Sequence, residues 1–133
     1  MTRPLKDTDY AITKQLFQSV FDPSEDPYFI DLWKFRNQEA SLGIWNTGCL
    51  VAAAIVNDGK LEYIFVDPTQ QAQGLGSKLL NAILVVCPNL HLNPVDDPVV
   101  CGWYEKKGFQ LKSELDTPWG TRRCYVRHTH DLR

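Results

Sequence analysis

Gln71-Ala72-Gln73-Gly74-Leu75-Gly76 follows a run from Leu61 to Val66 that is apolar except for Glu62, and it overlaps an amphipathic segment that extends from Gln73 to Val86. The apolar run predicts a strand that is covered on both faces. In the following segment apolar residues recur every three or four positions, which predicts a helix with one buried face. The two glycines in its first turn expose backbone N–H groups that lack a partner inside the helix. An anion such as a diphosphate is a natural ligand of this strand–turn–helix unit.

The two glycines also have a simpler interpretation, in which they only allow the helix to pack closely on the sheet. Two better-defined phosphate motifs do not fit. A dinucleotide-binding fingerprint requires a third glycine where this chain has Leu79. A P-loop requires Gly-Lys-Ser/Thr, whereas Gly76-Ser77-Lys78 has the wrong order. By itself, the motif therefore indicates an anion-binding turn and does not identify the anion.

Two polar segments before the turn, Asn46-Thr47-Gly48 and Asn57-Asp58-Gly59, separate three β-prone stretches. Because Asn, Asp and Gly tolerate positive φ, these segments predict hairpins and a meander of antiparallel strands. Two helical stretches precede the meander. A short strand, a helix capped by Asp97 and a final hairpin follow the turn. The predicted order is helix, helix, three strands, helix, strand, helix and two strands.

The composition of the 133-residue chain is that of one ordinary globular domain. No apolar run reaches the roughly 18 residues of a membrane span, and the first residues lack the apolar stretch of a secretory signal. A net charge of −2 argues against nucleic acid as the main partner. The four cysteines are widely spaced, which favours reduced thiols over a metal site or a disulfide framework. We therefore expect a cytoplasmic protein without a bound metal.

A second motif, Trp103-Tyr104-Glu105-Lys106-Lys107-Gly108-Phe109, has a tyrosine in a late helix that ends in Gly-Phe. Together with the turn, which reads Gln, two residues, Gly, one residue, Gly, it resembles the GNAT superfamily of N-acetyltransferases. The resemblance extends from about Ser41 to Val126. It implies an α/β (α+β) fold, with residues 1–133 forming a single GNAT-like domain. In that domain, helices flank a mixed, mostly antiparallel sheet with splayed central strands. The chain departs from many relatives at Asp97, where they have a cofactor-holding Asn; Asn93 is the candidate substitute.

The resemblance implies acetyl-CoA as the cofactor and direct attack of an amine on its thioester. In the family, the strand before the turn pairs through its backbone with the pantetheine arm, and the matching residues are Ile64, Phe65 and Val66. The N–H groups of the turn would hold the diphosphate. The residues expected there are Gln71, Ala72, Gln73, Gly74, Leu75, Gly76 and Ser77.

Two side chains are expected to transfer protons. Tyr104 matches the family's usual general acid, because a phenol stays protonated at neutral pH and can donate to the departing thiolate. Glu62 is the candidate base, since it is expected to share a strand face with Ile64 and Val66, in apolar surroundings near the thioester. The alternatives are a core aromatic for Tyr104 and a solvated or paired carboxylate for Glu62. His91 is a weaker candidate base, and a structural histidine of the sheet is the alternative there.

The acceptor is expected to be an amine on a small molecule or on a protein. Trp33 and Phe35 are candidate lining residues, and Trp119 and His128 are further ones. A non-catalytic acyl-CoA-binding module that regulates a partner protein is the alternative function. The oligomeric state is open, with a homodimer as one option. Five acidic residues near the expected entrance would suit a cationic acceptor, or would form an ordinary solvated face: Asp22, Glu25, Asp26, Asp31 and Glu39.

Overall fold

The helices and strands of the computed structural model, which describes residues 1–127, follow the predicted order. A short additional strand precedes the first helix. Within residues 1–127 no helix is both long and apolar enough to cross a membrane. The elements are β1 Thr2–Pro4, α1 Tyr10–Val20, α2 Asp26–Lys34, β2 Leu42–Asn46, β3 Cys49–Asn57, β4 Lys60–Val66, α3 Leu75–Val86, β5 His91–Leu92, α4 Pro98–Lys106, β6 Gln110–Thr117 and β7 Gly120–Val126.

Backbone contacts divide the chain into two compact units, Met1–Cys87 and the part that follows. In the first unit the strands form an antiparallel sheet in the order β1-β2-β3-β4. Both predicted hairpins are present, with φ values of 50° and 81° at Thr47 and Gly48 and of 50° and 77° at Asp58 and Gly59. Two-residue loops with positive φ at both positions match the right-handed twist of the strands, which is why the chain reverses here.

The core of the first unit is built on β3, whose residues from Leu50 to Val56 are all buried. Helices α1 and α2 pack on β3, and α3 packs on β2, β3 and β4. Because successive side chains of a strand point to opposite faces, complete burial means that both faces of β3 are covered. Phe17 of α1 is fully buried, with its ring 4.6 Å from that of Phe29 and 5.6 Å from that of Phe65.

Helix α2 buries a different face from the one that the sequence indicates. The spacing predicts a stripe of Tyr28, Leu32 and Phe35, flanked by Phe29 and Trp33. The structure buries the two flanking residues. Tyr28 and Phe35 are 63% and 71% exposed. Aromatic residues occur on both faces of this helix, and α1 supplies ring partners for only one of them. The other face remains available at the surface.

In the second unit β5, β7 and β6 form an antiparallel sheet in that order. Asp97 caps α4 as predicted, because its Oδ1 accepts a hydrogen bond from the N–H of Val99 at 2.8 Å. The predicted last hairpin joins β6 to β7 through the loop between Thr117 and Gly120. Strand β6 is exposed along most of its length. The buried apolar and aromatic side chains described in this unit are instead Leu90, Leu92, Cys101, Tyr104, Phe109 and Tyr125.

Candidate functional site

The turn after β4 is shaped by a side chain that hydrogen-bonds the neighbouring backbone. Asp67 accepts hydrogen bonds from the N–H and the hydroxyl of Thr69, at 2.9 and 2.8 Å, and one turn of 3-10 helix follows. Ala72 and Gly74 then have φ values of 67° and 73°, and α3 begins directly after Gly74. A positive φ is natural for glycine and costs an alanine about 1 kcal/mol. Of the two residues with positive φ, Gly74 therefore adopts this conformation without strain, whereas Ala72 does so at that cost.

The start of α3 offers backbone donors to an anion. Its first intrahelical hydrogen bond joins the N–H of Lys78 to the oxygen of Gly74 at 3.0 Å, so the N–H groups of Leu75 and Gly76 precede the helical ladder. A Cβ placed on Gly74 would meet nothing within 4 Å, so the space in front of the helix is open. The first turn of α3, which the structure describes completely, contains no acidic residue. Open space, the helix dipole and the lack of negative charge fit a diphosphate.

Strand β4 contains the stretch predicted to pair with the pantetheine arm. Ile64, Phe65 and Val66 pair on one side with three consecutive alanines of β3. Within the first unit β4 is the last strand in the order β1-β2-β3-β4. Phe65 is only 3% exposed and anchors the strand in the core, while Ile64 and Val66 are half-buried.

Glu62 lies on a β-bulge that the sequence does not reveal. Leu61 and Tyr63 pair with two adjacent residues of β3, which leaves Glu62 as an extra residue without a partner in that strand. The predicted regular alternation of Glu62 with Ile64 and Val66 is therefore interrupted. A bulge of this kind turns a side chain away from the direction that strict alternation would give it.

The surroundings of Glu62 are charged rather than apolar, which differs from the expectation. Its Oε1 lies 3.3 Å from Nζ of Lys60, and its side chain is 19% exposed. The paired carboxylate is thus the arrangement that the structure has.

Glu62 opens onto a cavity of about 530 Å³, termed here the β4 cavity. Two of its lining residues are hydrogen-bonded to each other: the hydroxyl of Tyr63 donates to Oε2 of Glu25 at 3.2 Å. Burial, reinforced by the Glu25 carboxylate, raises the pKa of Tyr63 to about 12, so the phenol keeps its proton. The lining comes from a 3-10 turn before α2, from α2 itself and from β4: Glu25, Tyr28, Asp31, Leu32, Glu62 and Tyr63.

The two residues that we predicted to line the acceptor site lie outside this lining. Trp33 is 6% exposed and packs in the core, and Phe35 is 71% exposed just beyond the end of α2. Trp119, in the last hairpin, is 91% exposed. His128 lies outside the described residues.

Sequence reasoning missed Tyr63 as a lining residue. Tyr63 follows Glu62 directly, and strict alternation would direct the two side chains to opposite faces of β4. Only the bulge brings both to one cavity. The signal for Leu32 was present, since it lies four residues after Tyr28 and therefore on the same helix face.

Tyr104 of α4 is an almost fully buried tyrosine, with 7% of its surface exposed. Its ring makes edge-to-face contacts with Trp103 and Phe109, at centroid distances of 4.9 and 5.6 Å. Burial raises the pKa of Tyr104 to about 12, so the hydroxyl carries its proton at neutral pH. Within residues 1–127 no hydrogen bond engages that hydroxyl. The tyrosine is thus both a core aromatic and a protonated donor.

Asn93 and His91, the other two candidates from the sequence analysis, both contact the last hairpin. Nδ2 of Asn93 donates to the backbone oxygen of Arg123 at 2.8 Å, so this amide is committed to the last hairpin. His91 is half-buried in β5 and pairs with Val126 of β7, as a structural histidine of the sheet would.

Comparison of the sequence with known protein families identifies the family of this chain. The family described as the acetyltransferase (GNAT) domain matches residues 36–111, which is more than half of the chain. The chain belongs to the GNAT acetyltransferases. The matched range includes β4, the turn, the start of α3 and Tyr104.

Several solved structures resemble the chain over nearly its whole length. Ard1 from Thermoplasma volcanium has a TM-score of 0.78 at 18% identity, covering 96% of this chain and 95% of that one. The ribosomal-protein-S18-alanine N-acetyltransferase from Escherichia coli has a TM-score of 0.74 at 22% identity, covering 95% and 90%. Naa50 from Arabidopsis thaliana, in complex with the bisubstrate analogue CoA-Ac-MVNAL, has a TM-score of 0.73 at 18% identity, covering 94% and 96%. No curated protein matches the sequence.

These comparisons bear on three predictions. At such identities the structural likeness shows the fold, so the predicted α/β fold of the GNAT type is confirmed. Membership of the GNAT family confirms the predicted acetyltransferase and favours it over a non-catalytic module. The CoA-containing analogue in the Naa50 complex agrees with acetyl-CoA as the cosubstrate of the family.

Proposed function

We propose that this GNAT protein transfers the acetyl group of acetyl-CoA to a primary amine, with Gln71–Ser77 as the diphosphate site and the β4 cavity as the acceptor site. The observation that supports it most is the exposed turn in which Ala72 and Gly74 have positive φ before α3 begins. A turn of this shape directs backbone N–H groups to one point, and the dipole of α3 adds favourable potential for phosphate there.

Strand β4 is proposed to orient the donor. The extended backbone of Ile64 to Val66 offers hydrogen-bonding groups in a row, which suits the amides of a pantetheine arm. Because Phe65 is packed into the core, this row is held in one conformation. Acetyl-CoA, when bound, supplies an activated acyl group as its thioester.

Glu62 is proposed to accept a proton from the acceptor. A primary amine is protonated at neutral pH and must lose a proton before it can attack a thioester. Glu62 lines the β4 cavity and is 19% exposed, so an amine in the cavity can reach its carboxylate directly or through water. The ion pair with Lys60 restricts the orientation of the carboxylate.

Tyr104 is proposed to donate a proton to the departing thiolate of CoA. Its pKa of about 12 keeps the phenol protonated, so the hydroxyl can donate a hydrogen bond to the sulfur, and share its proton with it, as negative charge develops there during cleavage of the C–S bond. A hydroxyl without a partner within residues 1–127 is ready to make this hydrogen bond.

The acceptor is proposed to be an amine of a protein or of a small molecule. Two of the similar structures specify protein or peptide amines: the alanine of ribosomal protein S18 and the peptide of the CoA-Ac-MVNAL analogue. The β4 cavity, at about 530 Å³, is also within the usual size of small-molecule sites. A cytoplasmic location belongs to the same proposal, and free thiols at all four cysteines are in keeping with it.

The test is incubation with acetyl-CoA and a panel of amines and peptides, with acetylated product measured by mass spectrometry. Cys49 is exposed, so a thiol reagent that reports free CoA also needs a blank with protein alone. Acetylated product above the blank without enzyme is the expected result. Measurable binding of acetyl-CoA without transfer to any acceptor of the panel would instead favour the regulatory module.

A further inference from the structure

The β4 cavity has an unbalanced charge. Three of its lining residues are carboxylates, and the only ion pair among them within residues 1–127 joins Glu62 to Lys60. Glu25 accepts a hydrogen bond from the neutral hydroxyl of Tyr63, which leaves its charge in place. Asp31 has neither an ion pair nor a hydrogen bond within the described residues. Two negative charges at the cavity are thus without a cation.

The other walls of the β4 cavity suit a cation with an aliphatic body. Tyr28 and Tyr63 contribute aromatic rings, and the face of such a ring attracts an ammonium group. Leu32, one helical turn after Tyr28 on α2, contributes an apolar surface to the lining. The site therefore combines carboxylates for charge, rings for cations and an alkyl wall for methylene groups.

The carboxylate of Glu25 is held in place before a ligand arrives. Its backbone N–H donates to the oxygen of Asp22 at 2.9 Å, which closes the 3-10 turn before α2. Its partner Tyr63 is wedged edge-on against Phe17 and Phe21, at centroid distances of 4.9 and 5.2 Å. A carboxylate fixed in this way loses little conformational freedom when a cation binds, so less of the binding free energy is lost to ordering it.

We propose that the acceptor carries a second cationic group in addition to the amine that is acetylated, an inference that rests on the proposed function. Glu62 takes the proton of the reacting amine, and Glu25 and Asp31 hold the second positive charge between Tyr28 and Tyr63. Two sources share this chemistry: a free diamine or polyamine, and a peptide with a basic side chain next to its amine.

The test compares acceptors that differ only in the second charge. Cadaverine is compared with pentylamine, and a peptide with lysine after its N-terminal residue is compared with one that has norleucine there. We expect kcat/KM to favour the dication by about tenfold or more in at least one pair. This preference should shrink when the salt concentration is raised, because ions screen partly exposed charges. Equal kcat/KM values within both pairs would overturn the inference and leave the proposed function standing.

Variants that replace a cavity carboxylate by an amide test whether the preference for dicationic acceptors arises in the β4 cavity. In Asp31→Asn and in Glu25→Gln we expect the ratio of kcat/KM for the preferred dication and its neutral counterpart to fall about tenfold. Glu39→Gln is the matched control, because it removes an exposed carboxylate outside the lining of the cavity, and its ratio should equal that of the wild type. A preference that survives in both cavity variants would contradict the assignment.

Direct binding separates this inference from the proposed function. If no amine is acetylated although acetyl-CoA binds, the proposed function fails. The cavity is then judged by calorimetric titration of cadaverine and pentylamine into the wild type and Asp31→Asn. Tighter binding of cadaverine that is lost in the variant supports the cation site, and equal binding of the two amines refutes it.

Discussion

At the level of single residues, Tyr104 combines burial with a hydroxyl that no group within residues 1–127 engages. We expect Tyr104→Phe to lower kcat by about a hundredfold or more, because the proton donor is lost while the ring remains. The affinity for acetyl-CoA, measured by calorimetry, should change little.

The same variant has a structural control. Since the hydroxyl makes no hydrogen bond within residues 1–127, its removal should change the free energy of unfolding by less than about 1 kcal/mol. Unchanged kcat would show that Tyr104 is only a core aromatic and that another group protonates the thiolate.

At the level of elements, the start of α3 is tested by two substitutions of similar shape. Gly74 has a φ of 73° and open space in front of it, and both Asn and Asp tolerate positive φ. We expect Gly74→Asp to weaken acetyl-CoA binding at least about tenfold more than Gly74→Asn, because only the former adds a negative charge beside the diphosphate. Calorimetric dissociation constants measure the difference. Equal affinities in the two variants would argue against a diphosphate at this position.

The start of α4 provides a second test of an element. Asp97→Ala should lower the free energy of unfolding by about 1 kcal/mol, because the N–H of Val99 loses its hydrogen-bond acceptor. Asp97→Asn should retain most of the stability, since an Asn oxygen caps a helix as well as Asp does. Urea unfolding followed by circular dichroism makes the comparison. Equal losses in both variants would mean that the charge, and not the cap, stabilises α4.

Local chemistry explains which elements could be predicted from the sequence. The hairpins at Thr47-Gly48 and Asp58-Gly59 were predicted because the residues that favour positive φ stand in the loop itself. The turn before α3 was predicted for the same reason. The bulge at Glu62 was not, because the apolar run from Leu61 to Val66 has no alternation that an extra residue could disturb. The face of α2 that is buried depends on rings of α1, which periodicity within α2 cannot show.

The same limit applies to the candidate site. The proposed diphosphate turn is one continuous segment, so its residues could be named from the sequence. The β4 cavity is assembled from a 3-10 turn, a helix and a strand that are distant in the chain. Its acidic members Glu25 and Asp31 were noted by composition, whereas Tyr63 required the pairing register of β4. Contacts over such distances are set by tertiary packing and leave no local pattern.

At the level of the whole molecule, buried tyrosines make the protein sensitive to alkali. Burial, reinforced for Tyr63 by Glu25, raises the pKa values of Tyr63 and Tyr104 to about 12. The hydrogen bond from Tyr125 to Glu105, together with burial, raises the pKa of Tyr125 as well. Unfolded tyrosine has a pKa of about 10, so the unfolded chain releases these protons first. The stabilisation is therefore complete below about pH 10 and is lost as the pH rises towards 12.

Urea unfolding at a series of pH values checks this expectation. The free energy of unfolding should fall steadily between about pH 10 and pH 12, and it should fall less steeply in Tyr104→Phe, which has one fewer buried phenol. Far-ultraviolet circular dichroism is the suitable probe, because tyrosine absorbance itself changes on ionisation. A flat profile over this range would refute the prediction.

The bulge in β4 also has a consequence for how the protein could change in evolution. Leu61 and Tyr63 already pair with neighbouring residues of β3, so deletion of the single codon for Glu62 would join them into an uninterrupted ladder. The strand would keep its register and its hairpin, while the proposed base would be gone. An enzyme with this geometry is thus one short genetic step from a folded relative that binds the donor and no longer turns it over.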